Sequence, residues 1–544
     1  MKKGRRFLAC ILASLLVIIL LPPKVVFAAP TALDLDDGPI AITATGYSQG
    51  GKPEIPHTDG YVITNTTPTT NTIQVLSGTH AITLNNVSTT LVSTTALIDE
   101  SCAFSIQGGT VNLTLTGTNT LVSSRGFAGI YVAEGTSLTI GGDGSLTATG
   151  GSGTSSSSTP YAAGAGIGGN GYNPGSTFGT ITVNSGTVTA TGGPTDTTLA
   201  ALTWGAGAGI GGGGETVGYP ASKGEIIIND GIVNATGGDG LSTSETSGGA
   251  GIGSGGRNET PQYHTNQITI TINGGTITAT GKADGAGIGG GNKKNSGPIL
   301  INGGHITAVG GHEISSEFWG GAGIGGGDSS FADDITITGN AIVDATGGGT
   351  AAGIGGGQGG GVAKTSTANA GLDVIGSATI TISGNAQVTA RASTKHARGS
   401  AGIGGGSSYY DKGPGGNVRI EDHAKVIAYS EIDGQAIGVA RYYDFSITDP
   451  GYDNTLYIED TATIMLFNHA SSTVALSVAA YPATVAGSGA PYIVAYTLPT
   501  GATPSRRRVP RKTPPRPTPI PGSTPERQGT TPLMSMTAAR CWTP

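Results

Sequence analysis

GAGIGGG occurs at Gly285–Gly291 and again, unchanged, at Gly321–Gly327. Close variants recur along the chain: GAGIGG at Gly164–Gly169, GAGIGGGG at Gly207–Gly214, GAGIGSGG at Gly249–Gly256, AAGIGGG at Ala351–Gly357 and SAGIGGG at Ser400–Gly406. The intervals between the central isoleucines vary from one repeat to the next. A fixed phrase at variable spacing indicates one structural unit per repeat, with loops of variable length between the units.

A second phrase, in which apolar and polar residues alternate, precedes these glycine-rich segments. Examples are ITINGGTITATG at Ile270–Gly281 and ILINGGHITAVGG at Ile299–Gly311. This alternation predicts strands with one buried face and one exposed face. Asn-Gly in the middle supplies the positive φ of a sharp corner. Each repeat therefore predicts two alternating strands, followed by AGIG as a third, very short strand.

Three short strands per repeat, with no helix-period segment between them, predict an all-β fold, a parallel β-solenoid. Coils of such a solenoid stack about 4.8 Å apart, so equivalent residues should lie above one another. We expect Ile270, Ile299 and Ile335 to form one internal ladder, and the isoleucines of the AGIG segments to form another. An α-helix is excluded, because so many glycines would cost about 1 kcal/mol per position.

The chain divides into five predicted segments. Met1–Ala29 has a charged start and an apolar run at Phe7–Leu21, which is typical of a secretion signal and short for a membrane span. We expect residues 30–60 to form an N-terminal cap, residues 61–474 the β-helix and residues 475–501 a C-terminal cap. Residues 502–544 are rich in proline and arginine, and we predict that they form a disordered tail.

Charge limits the partners of the predicted extracellular protein. The net charge of −7 hides an uneven distribution, because the tail carries eight basic residues and only one acidic residue, Glu526. The acidic body disfavours nucleic acid and anionic membranes, and nothing predicts membrane insertion after signal cleavage. The tail is interpreted either as a genuine segment that adheres to anionic wall polymers or as the product of a frame shift near Thr503–Arg508. Cys102 and Cys541, which remain after cleavage, do not predict a disulfide scaffold.

The order of the phrases resembles secreted and surface right-handed parallel β-helix proteins of Gram-positive bacteria. The residues that carry the resemblance are SLTIGGDGSLTATGG at Ser137–Gly151 and the INGG, ATGG and GAGIGGG repeats that follow. Some members of this group are described as carbohydrate-binding β-helix domains and share their fold with pectate lyases. The resemblance implies a right-handed, single-stranded parallel β-helix over roughly Thr31–Pro499. It also implies calcium and acidic-polysaccharide contacts in some members, without assigning either to particular residues.

Aromatic residues are scarce, at 5% of the chain, yet several lie in the predicted loops. The residues that we single out as candidate ligand contacts precede AGIGGG segments: Tyr161, Trp204, Phe318 and Trp319. Sugar rings present apolar C–H faces that stack on aromatic rings, while polar groups fix their orientation. The alternative is that these rings only cover the bases of their own loops.

Other motifs favour structural interpretations. Gly207–Gly212 satisfies the dinucleotide pattern GxGxxG, but no helix follows to hold phosphates. Outward threonines such as Thr276, Thr278 and Thr280 suggest an ice-binding face, but the equivalent trio Ile342, Asp344 and Thr346 breaks the array. The aspartates Asp328, Asp333, Asp334 and Asp344 are expected on a solvated acidic edge rather than in a catalytic site, and the histidines lack metal-ligand spacing.

The sequence therefore predicts a secreted or cell-wall-associated binding protein without catalysis. Its expected partner is a polysaccharide, or a host or cell-wall surface. A structural stalk or spacer is the first alternative, and a polysaccharide lyase or hydrolase is the second. No cofactor is predicted, and calcium binding stays open.

Overall fold

The computed structural model describes most of the repeat region and leaves gaps at the loops. The described residues are 29–91, 101–153, 161–171, 177–195, 205–215, 222–240, 247–257, 266–312, 319–365, 374–393, 399–407, 415–432, 434–438, 455–459, 461–469, 483–486 and 492–498. The predicted tail and all but the last residue of the predicted signal lie outside these ranges. Within them the regular structure consists of strands and one short 3-10 helix, Leu35–Asp37.

Three long sheets, named A, B and C here, form the faces of the solenoid. Sheet A has fourteen strands: Thr31–Asp34, Tyr61–Thr64, Thr79–Asn85, Thr110–Thr116, Ser137–Gly142, Thr180–Val183, Ser222–Ile228, Asn266–Ile272, Ile299–Ile301, Ile335–Ile337, Thr379–Ile382, Asn417–Ile420, Leu456–Glu459 and Ala483–Ala486. Sheet C has twelve: Ser88–Thr90, Thr118–Val122, Ser145–Thr149, Thr187–Thr191, Ile232–Thr236, Thr276–Thr280, His305–Val309, Ile342–Thr346, Gln387–Arg391, Lys425–Ile432, Thr463–His469 and Tyr492–Leu498.

Sheet B contains the short strands of the glycine phrase. Its fourteen strands are Ile40–Ile42, Gly46–Gln49, Ile55–Pro56, Ile73–Val75, Phe104–Ile106, Ile130–Val132, Ile167–Gly168, Ile210–Gly211, Ile252–Gly253, Ile288–Gly289, Ile324–Gly325, Ile354–Gly355, Ile403–Gly404 and Ile437–Gly438. A separate hairpin joins Ala363–Thr365 to Val374–Ser377. Each full coil contributes one strand to sheet A, then one to sheet C, then one to sheet B. Neighbouring coils pair in parallel, and antiparallel pairing within the three sheets is confined to the N-terminal end of sheet B.

The fold is a right-handed parallel β-helix, as predicted. Crossovers between parallel strands are right-handed in nearly all proteins, because of the twist of the strands. The predicted ladders are confirmed: Ile270 pairs with Ile299 and Ile299 with Ile335, and the AGIG isoleucines pair from coil to coil. These side chains are buried in one continuous core. Each buried isoleucine contributes roughly 1.5–3 kcal/mol.

The glycine phrase allows the coils to pack backbone against backbone. Within each phrase the chain closes a tight turn, in which the Ala286 amide donates to the Gly290 carbonyl at 2.8 Å. The turns then stack, so that a Cβ on Gly207 would lie 2.0 Å from the Gly164 carbonyl oxygen. Gly289 has a φ of +130°, and a Cβ there would lie 2.1 Å from the Gly325 carbonyl oxygen. The sequence predicts these glycines at corners; the structure shows that contact between coils also requires them.

The corner between sheets A and C carries a ladder of asparagines. Asn229 donates to Asn184, Asn273 to Asn229 and Asn302 to Asn273, at 2.7–2.8 Å between the side-chain amide nitrogen and oxygen atoms. The asparagine corners therefore bond to one another along the solenoid axis. The positive φ lies at the glycine two residues after each asparagine: Gly186, Gly231, Gly275 and Gly304.

Candidate functional site

Trp319 is the candidate ligand contact that the structure places most clearly. Its side chain is 40% exposed. It follows residues 313–318, which lie outside the described ranges, and it immediately precedes Gly320, which forms an antiparallel bridge with His312. Trp319 therefore stands at the base of a loop whose ends are held together. An indole in this position offers an apolar face to solvent.

Tyr161 lies on the same edge of the solenoid as Trp319. The backbone hydrogen bond from the Gly214 amide to the Ala163 carbonyl corresponds to the bond from the Gln358 amide to the Gly320 carbonyl. Tyr161 and Trp319 precede these equivalent carbonyl residues by two positions and one position. Four coil steps separate them, which corresponds to about 19 Å along the axis. We call this side of the solenoid, with the chain segments between sheets C and B, the loop edge.

The two residues differ in exposure. Tyr161 is only partly exposed, and its Cβ lies over the preceding coil, 3.1 Å from where a Cβ on Gly126 would stand. Its position therefore fits the alternative in which a ring covers the base of its own loop. Trp204 and Phe318 lie outside the described residues, so their candidate roles remain predictions. Among the four candidates, the structure places Trp319 in an exposed position and Tyr161 in a packed one.

A buried ion pair lies near the loop edge. Lys294 Nζ pairs with Glu215 Oε2, and neither side chain has any exposed surface. Ser222 Oγ donates to Glu215 Oε1 at 2.6 Å. Burial lowers the pKa of Lys294, and Glu215 opposes this shift. Other polar residues in the same part of the chain are also buried: Arg257, Asp284, Asn292, Asn295 and Asp328.

These polar residues stack because each occupies a related place after a glycine run. The Glu215 amide donates to the Gly256 carbonyl, and the Arg257 amide donates to the Asn292 carbonyl. Glu215, Arg257 and Asn292 therefore lie on consecutive coils. The sequence signal that could have found them is a polar residue directly after GGGG, GSGG or GGG, which the sequence analysis did not single out.

The four aspartates that the sequence places near one another have different surroundings in the structure. Asp328 is buried, so it departs from the expected solvated edge. Asp334 Oδ2 pairs with Lys364 Nζ at 2.8 Å, while Asp344 Oδ1 lies 3.6 Å from Arg391 Nη1 on the outer face of sheet C. Burial raises the pKa of Asp333. Asp328 is therefore interior, while Asp334 and Asp344 belong to separate ion pairs.

Two of the four histidines considered as metal ligands lie within the described ranges. His305 is exposed on sheet C and His312 is held at the loop bridge, whereas His264 and His396 lie outside the described ranges. Among the described residues, no three His, Cys, Asp or Glu side chains are grouped so that they could hold a metal ion. In that same part of the chain, no helix is long and apolar enough to cross a membrane.

A second aromatic group, which sequence reasoning did not single out, lies on the outer face of sheet C. The rings of Tyr429 and Phe467 stack with their centroids 4.5 Å apart and an interplanar angle of 11°. The Arg391 guanidinium carbon lies 4.7 Å from the Tyr429 ring centroid. Since Arg391, Tyr429 and Phe467 belong to successive coils, both faces of Tyr429 are covered. Because its ring faces are already occupied, we interpret this column as a contact that stabilises the coils and not as a surface for sugar binding.

The comparisons with known proteins agree with the fold and add no ligand. Three segments, residues 270–292, 299–328 and 380–407, match the family model described as a beta helix repeat. Neither a curated protein nor a solved structure matches the chain. The matched segments contain the alternating strands and the GAGIGGG phrases whose parallel pairing is described above. The chain is therefore a parallel β-helix protein.

Proposed function

We propose that this chain is a secreted or cell-surface scaffold that binds polysaccharide along its loop edge, without catalysing a reaction. The observation that carries the proposal is the exposed indole of Trp319 at the closed base of a loop. Tryptophan buries a large apolar area on contact, and its rigid ring loses little conformational freedom on binding. A sugar ring that stacks on it needs only a few polar groups nearby to fix its orientation.

The solenoid suits a long, linear ligand. Each coil presents its loop segment at the same edge, and the coils advance by about 4.8 Å. A polymer that lies parallel to the axis would meet equivalent positions one after another. Repeat proteins commonly bind through extended surfaces of this kind. The variable loops would then set specificity, while the core of stacked isoleucines holds their bases in place.

The extracellular location and the wall or host partner rest on sequence features. The charged start and apolar run of Met1–Ala29 indicate export, and the acidic body disfavours nucleic acid. The basic tail after Ala502 offers electrostatic attachment to anionic wall polymers.

A structural stalk or spacer is the second candidate, and the length of the stack favours it. The fourteen described strands of sheet A, at about 4.8 Å each, span roughly 60 Å. A spacer would need no exposed aromatic residue and would bind no glycan. A lyase or hydrolase is the weaker alternative, because Asp328 is buried and Asp334 and Asp344 are held in separate ion pairs.

The test is retention of the full-length secreted chain on a panel of insoluble polysaccharides, with calcium and with a chelator. Binding to at least one glycan, weakened when Trp319 is replaced by alanine, is the expected result. Retention that requires calcium would add a metal to the proposal. If no glycan retains the wild-type chain, the polysaccharide proposal is wrong and the spacer becomes the better interpretation.

A further inference from the structure

The outer face of sheet C is a broad surface with few charges. From Thr187–Thr191 to Ile342–Thr346, most of its outward residues are threonines. Two large apolar side chains stand out: Ile232 is 48% exposed and Ile342 is 42% exposed. Both occupy the first outward position of their strands. They lie three coil steps apart in one column, with Thr276 and His305 between them. A regular face with few charges and exposed large apolar side chains suits contact with another macromolecule.

The two isoleucines are placed symmetrically within the sheet. Paired residues run in one column from Ile232 to Thr276, His305 and Ile342. The midpoint between Ile232 and Ile342 lies between the strands Thr276–Thr280 and His305–Val309. This point is also the middle of the twelve-stranded sheet. Consider a two-fold axis that passes through this midpoint, runs parallel to the strands and lies in the plane where two copies touch. This axis would superimpose the sheet C faces of the two copies along their whole length.

We propose that a second copy of this chain packs face to face on sheet C in the antiparallel sense, with Ile232 against the partner's Ile342. A two-fold interface is self-complementary, so each such contact occurs twice. The axis reverses the direction of the partner's solenoid, but each column of residues still faces the same column of the partner. Thr278 therefore faces the partner's Thr307, and the small hydroxyl side chains leave room for the isoleucines.

Charge favours this orientation over the parallel one. In the antiparallel pair, Asn234 lies opposite the partner's Asp344, so an amide N–H can donate to a carboxylate. In a parallel pair, where the axis runs along the solenoid, Asp344 would lie opposite the partner's Asp344. Like charges placed opposite each other are destabilising. This disfavours the parallel arrangement, although each Asp344 also lies 3.6 Å from Arg391 of its own chain.

The available area is sufficient for a specific dimer. Twelve strands about 4.8 Å apart and about 16 Å long give a face of roughly 900 Å² per copy. Stable interfaces bury about 800 Å² per partner. The occupant is therefore expected to be another copy of the same length rather than a short peptide. This proposal does not depend on polysaccharide binding at the loop edge.

The test is the molar mass of the full chain, measured by sedimentation equilibrium over a concentration series. We expect a monomer–dimer equilibrium for the wild type. Ile232→Lys and Ile342→Lys should each weaken dimerisation by at least about 100-fold, because two lysines per dimer would be buried without partners. Ile55→Lys, at an exposed isoleucine far from this face, is the matched control and should leave the equilibrium unchanged.

The orientation is tested by a pair of double variants. Ile232→Lys with Ile342→Glu places each lysine opposite a glutamate in the antiparallel dimer and should recover most of the lost affinity. Ile232→Lys with Ile342→Lys should not recover it. Circular dichroism must show that all variants keep the strand content of the wild type. A monomeric wild type at high concentration, or a dimer that neither single substitution weakens, would overturn the proposal. A dimer that both double variants weaken equally would overturn its orientation.

Discussion

Glu215 and Lys294 form an ion pair in which neither side chain reaches solvent. The two residues lie on different coils, near the loop edge, and the Ser222 hydroxyl donates to the other carboxylate oxygen. Desolvating two charges offsets most of their attraction, so such a pair adds little net stability. Its main effect is to favour one alignment of the coils over others. An alignment that separated Glu215 from Lys294 would bury a charge without its partner, which is costly.

The first prediction follows from this pair. Lys294→Met should lower the free energy of unfolding by about 3–5 kcal/mol, because it leaves Glu215 buried without its cation. The double variant Glu215→Gln with Lys294→Met should recover a large part of that loss. Chemical denaturation monitored by circular dichroism measures both.

The exposed pair of Lys223 and Glu134, 3.0 Å apart between Nζ and Oε1, provides the control. Lys223→Met should change the free energy of unfolding by no more than about 1 kcal/mol. An equally small effect of Lys294→Met would show that the buried pair does not form in solution.

A second prediction concerns the packing of glycine against backbone. Gly207→Ala should destabilise the chain by about 1–3 kcal/mol or more, because the new methyl group would meet the backbone of Gly164, which cannot move aside. Gly141→Ala is the matched control, since a Cβ there makes only ordinary contact with Ser185 Oγ at 3.6 Å. Thermal unfolding of the two variants should separate them clearly; similar midpoints would contradict backbone contact between the turns.

The core register supplies a third prediction. Ile272 is fully buried between Ile228 and Ile301 on the adjacent coils. Ile272→Asp should abolish cooperative folding of this region, because an unpaired carboxylate is expensive to bury and neighbouring coils depend on each other. Thr269→Asp, on the exposed face of the same strand, should be tolerated. Unchanged circular dichroism and thermal stability of Ile272→Asp would mean that this side chain faces outward.

The sequence was sufficient to predict the fold because the signal repeats. Alternation in Ile270–Ile272 and Ile299–Ile301 fixes which side chains point inward, and repetition fixes which of them stack. The ion pair of Glu215 with Lys294 could not be predicted in the same way. Its partners come from different repeats and from segments of irregular length. Their burial depends on how the turns of several coils pack against one another. The local periodicity of the sequence does not predict this packing.

The candidate site was predicted only in part, for a related reason. The sequence places Trp319 in a loop, and in the structure it is exposed at the base of that loop. The same reasoning treated Tyr161 alike, although its side chain packs over Gly126. Aromatic character alone does not distinguish a ring that contacts a ligand from a ring that covers the base of its own loop. The difference lies in the neighbouring coil, where the glycine at residue 126 leaves room for the tyrosine.

A fourth prediction concerns alkaline pH. Burial raises the pKa of the Cys102 thiol from its ordinary value of 9.0 to about 12. The folded state therefore retains this proton after the unfolded state has lost it. The resulting stability is complete below pH 9 and is lost as the pH rises toward 12, with a slope of at most about 1.4 kcal/mol per pH unit.

Cys102→Ala should remove this contribution. The free energy of unfolding of the wild type should fall more steeply than that of the variant between pH 9 and pH 10.5, as measured by urea denaturation at each pH. Parallel pH dependences would show that the thiol is accessible to solvent in the folded chain.

The last prediction addresses the loop edge. Trp319→Ala should weaken binding to the retained polysaccharide by about 2–10-fold, since one aromatic stacking contact contributes about 0.5–1.5 kcal/mol beyond area burial. Trp319→Phe should keep part of the affinity, because a smaller aromatic face remains. Thermal stability should stay within about 0.5 kcal/mol of the wild type, as expected for an exposed side chain. Ile55→Ala, an exposed apolar residue away from the loop edge, should leave binding unchanged. Affinity is measured by depletion of the protein from solution. Equal affinities for the wild type and Trp319→Ala would mean that the glycan binds elsewhere. A loss of affinity together with a loss of stability would indicate that the indole supports the loop rather than the ligand.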